Sequence, residues 1–328
     1  MTERLPDQSR QSADHARERG ADSRPRRIGR LEVSVAGLGT NNFGRRLDEV
    51  GSRAVVAEAL ASGVTFFDTA DIYGDGQSEE FLGRALRGRR DQAVVTTKFG
   101  MGRPPDGPTG GHPDYVRRAC QDSLRRLGME RIDLYLYHRP DPATPIGETL
   151  GAMNELLERG LVREIGCSNF APEQLVEADR VAREQGLRGF AVVQNEYNLL
   201  RRAPEGGLLQ ACERLGVAFV PYFPLAMGLL TGKYRRGLPA PEGARLVDEP
   251  FVAERLADVE RLQTYATDHG HTLVELALSW LAGRPQVASV IAGAMSPAQV
   301  RANVAATSAW SLSEGERAEI DGLVRRPD

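Results

Sequence analysis

From about residue 27 onward, short runs rich in β-branched and aromatic residues alternate with longer stretches of helical periodicity. Eight runs read as strands: VAGLGT (35–40), VTFFDT (64–69), AVVTTK (93–98), IDLYLYH (132–138), VREIGCS (162–168), GFAVVQN (189–195), VAFVPY (217–222) and VASVIAG (287–293). Helical periodicity marks 52–62, 78–87, 113–127, 145–158, 172–185, 205–215, a double stretch from 250 to 282, and 297–305. The strand runs are near-continuously apolar rather than alternating, as parallel strands covered on both faces require. Eight such units predict an α/β fold, a (β/α)8 TIM barrel formed as a single domain over 27–328. The alternative, a doubly wound open sheet, would open its first helix on G-x-G-x-x-G. Here GLGTNNFG supplies Gly37 and Gly39 but puts Asn42 in the third place. Three embellishments are expected: RIGRLEVSVAG as an N-terminal β-hairpin closing the barrel floor, a long Gly/Pro-rich loop after strand seven from Phe223 to about Pro250, and a C-terminal extra helix near 313–325. That last helix opens on a Ser313-x-x-Glu316 capping box.

Residues 1–26 hold hardly an apolar side chain, so they cannot offset their ordering entropy and are expected to form a disordered tail. The tail has no apolar h-region, and its acids Glu3, Asp7, Asp14, Glu18 and Asp22 are unlike a transit peptide. No run of 18 apolar residues predicts a membrane span. Forty-two basic and 45 acidic residues leave a formal charge of -3, which argues against a nucleic-acid or polybasic membrane partner. Three scattered cysteines, Cys120, Cys167 and Cys212, form no disulfide framework and point to a reducing, cytoplasmic compartment. His112, His269 and His271 show no partners at ligand spacing, so no metal is assigned. Nothing in the sequence sets an oligomeric state. Only Lys98 and Lys233 are lysines, in a chain that otherwise uses arginine for positive charge. A compact, titratable ammonium is therefore wanted at those two places.

Barrels of this kind carry their chemistry at the carboxyl ends of the strands. Strand two ends in Asp68, with Tyr73 five residues on; strand three ends in Lys98, strand four in His138, strand five in Ser168 and Asn169, strand six in Gln194 and Asn195, and strand seven in Tyr222. Singly, each reads as an ordinary loop polar residue; together they make a proton-donating site for a carbonyl. A tyrosine with a pKa near 10 is a poor acid unless an ammonium stabilises the developing tyrosinate. Lys98 supplies that charge, and Asp68 keeps Lys98 protonated in a desolvated mouth. A neutral His138 orients the carbonyl oxygen. The set does not explain where the hydride comes from.

These residues resemble the aldo-keto reductase family. VTFFDTADIYGDGQSEEFLGRAL, VVTTKFG, LYLYHRPD, GLVREIGCSNF, VVQNEYNLL and PYFPLAMGLLTGKY are similar to its motifs in order and spacing, across residues 27 to 310. The resemblance implies a catalytic tetrad of Asp68, Tyr73, Lys98 and His138, with Tyr73 as general acid/base, and a nicotinamide cofactor bound extended across the barrel mouth. It also implies that Ser168, Asn169 and Gln194 hold the carboxamide and that Tyr222 stacks on the ring. Pro224, Leu225, Gly228, Leu230 and Lys233 of the long loop would lie against the cofactor, with GLLTGKY over the pyrophosphate. Gly293, Ser296, Gln299 and Asn303 would take the adenosine end at a helix start, with Arg301 as a candidate cation for a 2′-phosphate. NADP(H) is implied in preference to NAD(H), although Met295 and Gly293 stand where many relatives carry Arg and Lys.

The leading expectation is an NADP(H)-dependent oxidoreductase that reduces aldehydes or ketones, with a small-molecule carbonyl or sugar as substrate. Three rivals are carried. One is an aldose or alcohol dehydrogenase running the same residues in the oxidative direction. Another is a Schiff-base enzyme using Lys98, which Asp68 disfavours by raising its pKa. The last is a cofactor-binding regulatory subunit with little turnover.

Overall fold

The computed structural model describes residues 26–102, 107–240, 244–246 and 250–325. The chain opens with a hairpin, β1 (Arg26–Ile28) and β2 (Leu31–Val33), turning at Gly29 with φ +55°. That left-handed φ favours glycine, and the absent side chain leaves room for the Glu164 carboxyl, 2.7 Å from where a Cβ would stand. Then follow β3 (Ala36–Gly39), α1 (Glu49–Ala61), β4 (Phe66–Asp68), α2 (Gln77–Ala85), β5 (Val94–Phe99), α3 (Pro113–Leu127), β6 (Ile132–Tyr137), α4 (Ile146–Glu158), β7 (Val162–Ser168) and α5 (Pro172–Glu184). The second half adds β8 (Val192–Glu196), α6 (Leu208–Leu215), β9 (Ala218–Tyr222), α7 (Pro250–Asp268), α8 (Leu273–Ala282), β10 (Val290–Gly293), α9 (Pro297–Thr307) and α10 (Glu314–Leu323).

Eight strands pair in parallel in the order β10-β3-β4-β5-β6-β7-β8-β9. Phe219 of β9 bridges Val287, just ahead of β10, with Phe219 N to Gln286 O and Ala288 N to Phe219 O both at 2.8 Å. That bridge brings the two ends of the sheet together as the expected (β/α)8 barrel and excludes the open sheet. Ile28, Leu31 and Val33 of the hairpin pack with Phe66, Leu134, Leu136, Val192, Val220 and Ile291, filling the barrel floor with apolar side chains. Each fully buried side chain of this kind contributes about 1.5–3 kcal/mol.

Helix starts follow the capping residues. Asp48 accepts from Gly51 N ahead of α1, Ser296 from Gln299 N ahead of α9, and Ser313 and Glu316 form the predicted box at α10. Some boundaries differ from expectation. The helix expected over 205–215 begins at Leu208, because Gly207 at φ +119° separates it from a 3-10 turn over Ala203–Glu205. The double stretch from 250 to 282 breaks at Gly270, φ +77°. The hairpin starts at Arg26, one residue earlier than expected, where the guanidinium donates to the carbonyl of Ala282 at 2.6 Å. The expected tail, at residues 1–25, and parts of the long loop, at 241–243 and 247–249, lie outside the described residues. Among the described residues no helix is long and apolar enough to cross a membrane.

Candidate active site

Lys98, fully buried in β5, is held on several sides: its Nζ donates to both carboxylate oxygens of Asp68 and to the carbonyl of Thr69, each at 2.8 Å. Gln194 Nε2, on the strand facing β4 across the barrel, donates to Asp68 Oδ1 at 2.8 Å. Burial alone would favour loss of the proton from Lys98, but Asp68 and Tyr73 together outweigh it and hold the ammonium above its usual value.

Tyr73 begins a 3-10 turn, Tyr73–Gly76, that leads into α2. Gly74, Asp75 and Gly76 all have positive φ, a costly run for the non-glycine Asp75. A Cβ at Gly74 would meet the Phe43 carbonyl oxygen at 2.7 Å, so the turn is pinned against the loop after β3. This places the Tyr73 ring with its centroid 5.1 Å from Lys98 Nζ and edge-on to His138, centroids 6.2 Å apart at 81°. Loss of water around the phenol raises Tyr73 above 10, and the Lys98 charge offsets only part of that rise. The ammonium does ease proton loss, but the loss of water outweighs it, so the phenol is held protonated. A protonated phenol is the form a general acid needs, and the more basic alkoxide can still take its proton. His138 is pushed down to about 3 by burial and by the charges of Lys98 and Arg139, so its ring is neutral. Its Nδ1 has no hydrogen-bond partner among the described residues.

Beyond these four, the strand-end residues bond one another. Ser168 Oγ donates to the carbonyl of Gln194 at 2.7 Å. Asn169, at φ +61°, turns its amide back so that Nδ2 donates to the His138 carbonyl at 2.9 Å, while Oδ1 accepts from Tyr222 Oη at 2.8 Å. Pro224 and Leu230 are buried, and Leu225 accepts from Gly228 N at 2.8 Å and Leu230 N at 3.1 Å in the turn after β9. A Cβ on Gly228 would lie 3.2 Å from Lys233 Nζ, so the missing side chain lets that ammonium close on the turn. Lys233 is pushed down by burial and by Arg46 and Arg245, which marks a cluster of cations. Arg245 ties this loop to the first one, Nη2 to Asn42 Oδ1 at 2.6 Å. Asn42 and Asn41 lie in turn beside Gly293 at the end of β10. A run of cations and amide donors suits an anionic dinucleotide phosphate.

The adenosine-end candidates are engaged locally. Gln299 Oε1 accepts from Met295 N at 2.7 Å and Asn303 Nδ2 donates to Gly293 O at 3.3 Å. Arg301 pairs with Glu58 at 2.7 Å, which commits the candidate 2′-phosphate cation to a surface ion pair.

Sequence reading missed a half-buried acid beside Tyr73. Asp71, whose N donates to Lys98 O at 3.3 Å, has Oδ2 3.4 Å from Tyr115 Oη and Oδ1 without a partner among the described residues. Burial and the nearby Glu79 charge raise it to about 7. Glu79 itself is fully buried and accepts from Thr97 Oγ1 at 2.5 Å and Arg126 Nε at 2.6 Å. The acids in TADIYG and QSEEF were the available signal, but their burial depends on α3. A separate cleft of about 1490 Å³ lies at the opposite, N-terminal ends of β5, β6 and β7, lined by Arg87, Arg131, Asp133 and Arg159 among others. None of the strand-end residues above touches it.

One mouth of the parallel barrel thus holds a paired lysine, a tyrosine and a neutral histidine. The Aldo/keto reductase family profile matches residues 36–325. The chain is 34% identical over 293 residues to a probable voltage-gated potassium channel subunit beta of Oryza sativa subsp. japonica, covering 85% of this chain and 89% of that one. It is 34% identical over 309 residues to the L-glyceraldehyde 3-phosphate reductase of Escherichia coli K12, covering 89% of each. The solved glycerol dehydrogenase of Gluconobacter oxydans is similar with a TM-score of 0.79 at 30% identity, covering 92% of this chain and 95% of that one. The chain belongs to the aldo-keto reductase family and is an NAD(P)H-dependent oxidoreductase acting on carbonyls or the corresponding alcohols.

Proposed function

We propose that the protein reduces aldehydes or ketones to alcohols with NADP(H) in preference to NAD(H), Tyr73 giving its proton to the carbonyl oxygen. The observation that carries this reading is the Lys98 ammonium, fixed by Asp68 and Thr69 at 2.8 Å and lying 5.1 Å from the Tyr73 ring centroid. A bound nicotinamide supplies the hydride. As the alkoxide forms, Tyr73 passes its proton across, and Lys98 stabilises the tyrosinate left behind. Neutral His138 turns the carbonyl oxygen toward Tyr73. In this reading Ser168, Asn169 and Gln194 exchange part of their mutual bonding for the carboxamide, and Tyr222 covers the ring. Pro224, Leu225, Gly228, Leu230 and Lys233 close over the diphosphate, with Gly293, Ser296, Gln299 and Asn303 at the adenosine end. The cations around Lys233 support a dinucleotide diphosphate at that place. Burial of all three free cysteines fits a cytoplasmic setting.

The relative named as a channel subunit favours a second reading, in which the chain binds cofactor and regulates a partner. Titration with NADPH and NADH, followed by turnover on an aldehyde, ketone and sugar panel, separates the two. Steady NADPH consumption with an aromatic aldehyde, and weaker binding of NADH, is the expected result. Tight cofactor binding with no turnover on the whole panel would overturn the catalytic reading.

A further inference from the structure

We infer that Arg139 anchors an anionic substituent of the carbonyl substrate, a carboxylate or a phosphate, at the mouth of the barrel; the inference rests on the catalytic reading above. Arg139 follows His138 directly and is exposed. The backbone that carries it is fixed: His138 N donates to Phe99 O at 2.8 Å, and the His138 carbonyl, in the peptide bond leading to Arg139, accepts from Asn169 Nδ2 at 2.9 Å. Pro140 then disfavours helical backbone at Arg139, where the chain bends. The side chain is therefore launched from a rigid edge of the site.

Its guanidinium has neither hydrogen bond nor ion pair among the described residues, and the acid two residues on in the chain is engaged elsewhere. Asp141 accepts from Ala143 N at 2.9 Å and Thr144 Oγ1 at 3.1 Å. Glu196, near Tyr222, pairs with Arg201 at 3.3 Å. Burial is what chiefly lowers His138, and the Arg139 charge adds to it; its place directly after His138, at the carboxyl end of β6, sets Arg139 at the rim of the site.

Sheet order separates Arg139 from the cofactor's cations. Arg46, Lys233 and Arg245 belong to the loops after β3 and β9, which flank β10, whereas Arg139 follows β6, on the opposite side of the barrel. A dinucleotide whose phosphates lie with the first group leaves Arg139 on the open, substrate side. A planar fork of five donors matches a carboxylate or phosphate in two parallel bonds, and a neutral aldehyde cannot use it.

The test compares kcat/KM on matched pairs, 4-carboxybenzaldehyde against 4-nitrobenzaldehyde and glyceraldehyde 3-phosphate against glyceraldehyde, in the parent, Arg139→Ala and Arg139→Lys. The parent should prefer the charged member of at least one pair. Arg139→Ala should cut that charged-to-neutral ratio at least tenfold, mostly through KM, and Arg139→Lys should cut it less. Whichever pair responds tells carboxylate from phosphate. A direct readout is calorimetric binding of 4-carboxybenzyl alcohol to the NADP+-saturated protein, or of glycerol 3-phosphate where the phosphate pair responds; either should weaken at least tenfold in Arg139→Ala. Turnover without charge preference, or a preference that survives Arg139→Ala, overturns this inference alone. Absence of NADPH turnover with all four aldehydes removes the catalytic reading and this inference with it.

Discussion

Replacing Lys98 with methionine tests the ion pair at the heart of the site. Its Nζ makes three bonds at 2.8 Å, two of them to a carboxylate that is itself 2% exposed. Methionine fills similar space but leaves Asp68 with Gln194 as its remaining side-chain donor. Removing one partner of a buried pair costs about 3–5 kcal/mol, because the other charge stays in a dry site. Lys98→Met should therefore lose that much in urea denaturation at pH 7 without cofactor. Adding Asp68→Asn removes the stranded charge and should return at least about 2 kcal/mol. Activity should behave differently: NADPH-linked aldehyde reduction should fall at least about a hundredfold in both, since neither has an ammonium beside Tyr73. The reasoning is refuted if Lys98→Met costs less than about 1 kcal/mol, or if the double variant recovers rate along with stability.

Two further outcomes follow from the turn and the half-buried acid beside it. Asp71 is raised from 3.8 to about 7, so its contribution to stability is present in full below about pH 4 and is lost as pH rises toward 7. Asp71→Asn should thus gain on the parent by about 2–3 kcal/mol between pH 5 and pH 8, measured by urea denaturation at both; a constant difference would show that Asp71 is not held protonated. Gly74→Ala must place a Cβ 2.7 Å from the Phe43 carbonyl at φ +57°. It should cost more than the roughly 1–2 kcal/mol of left-handed backbone alone, and an unchanged melting temperature would show that the turn yields freely.

The barrel was legible because its strands are unbroken apolar runs that end in polar residues, as FFD, TTK and LYH do. Strand ends in a barrel converge, so listing those residues also drew Asp68, Lys98, His138, Ser168 and Tyr222 toward one mouth. Pairings across the barrel were not legible. The Gln194–Asp68 bond joins positions 126 residues apart, and the sequence offered Gln194 only a cofactor role. Asp71 escaped because a loop carboxylate looks solvated until Tyr115 of α3 packs against it. The net upward shift of Tyr73 was not legible for a similar reason: the neighbouring charge can be read from residue types, whereas the loss of water depends on how several elements close together. Arg301 read as a free cation because its partner, Glu58, lies 243 residues away on α1.

Single-turnover reduction of 4-nitrobenzaldehyde by Tyr73→Phe, preloaded with NADPH, probes the proton donor without interference from product release. Hydride transfer slowed by at least about a hundredfold, with NADPH still quenching protein fluorescence at parental concentrations, is the result expected of a phenol that gives up its proton in the reacting complex. Transfer within threefold of the parent rate would mean that another group protonates the alkoxide.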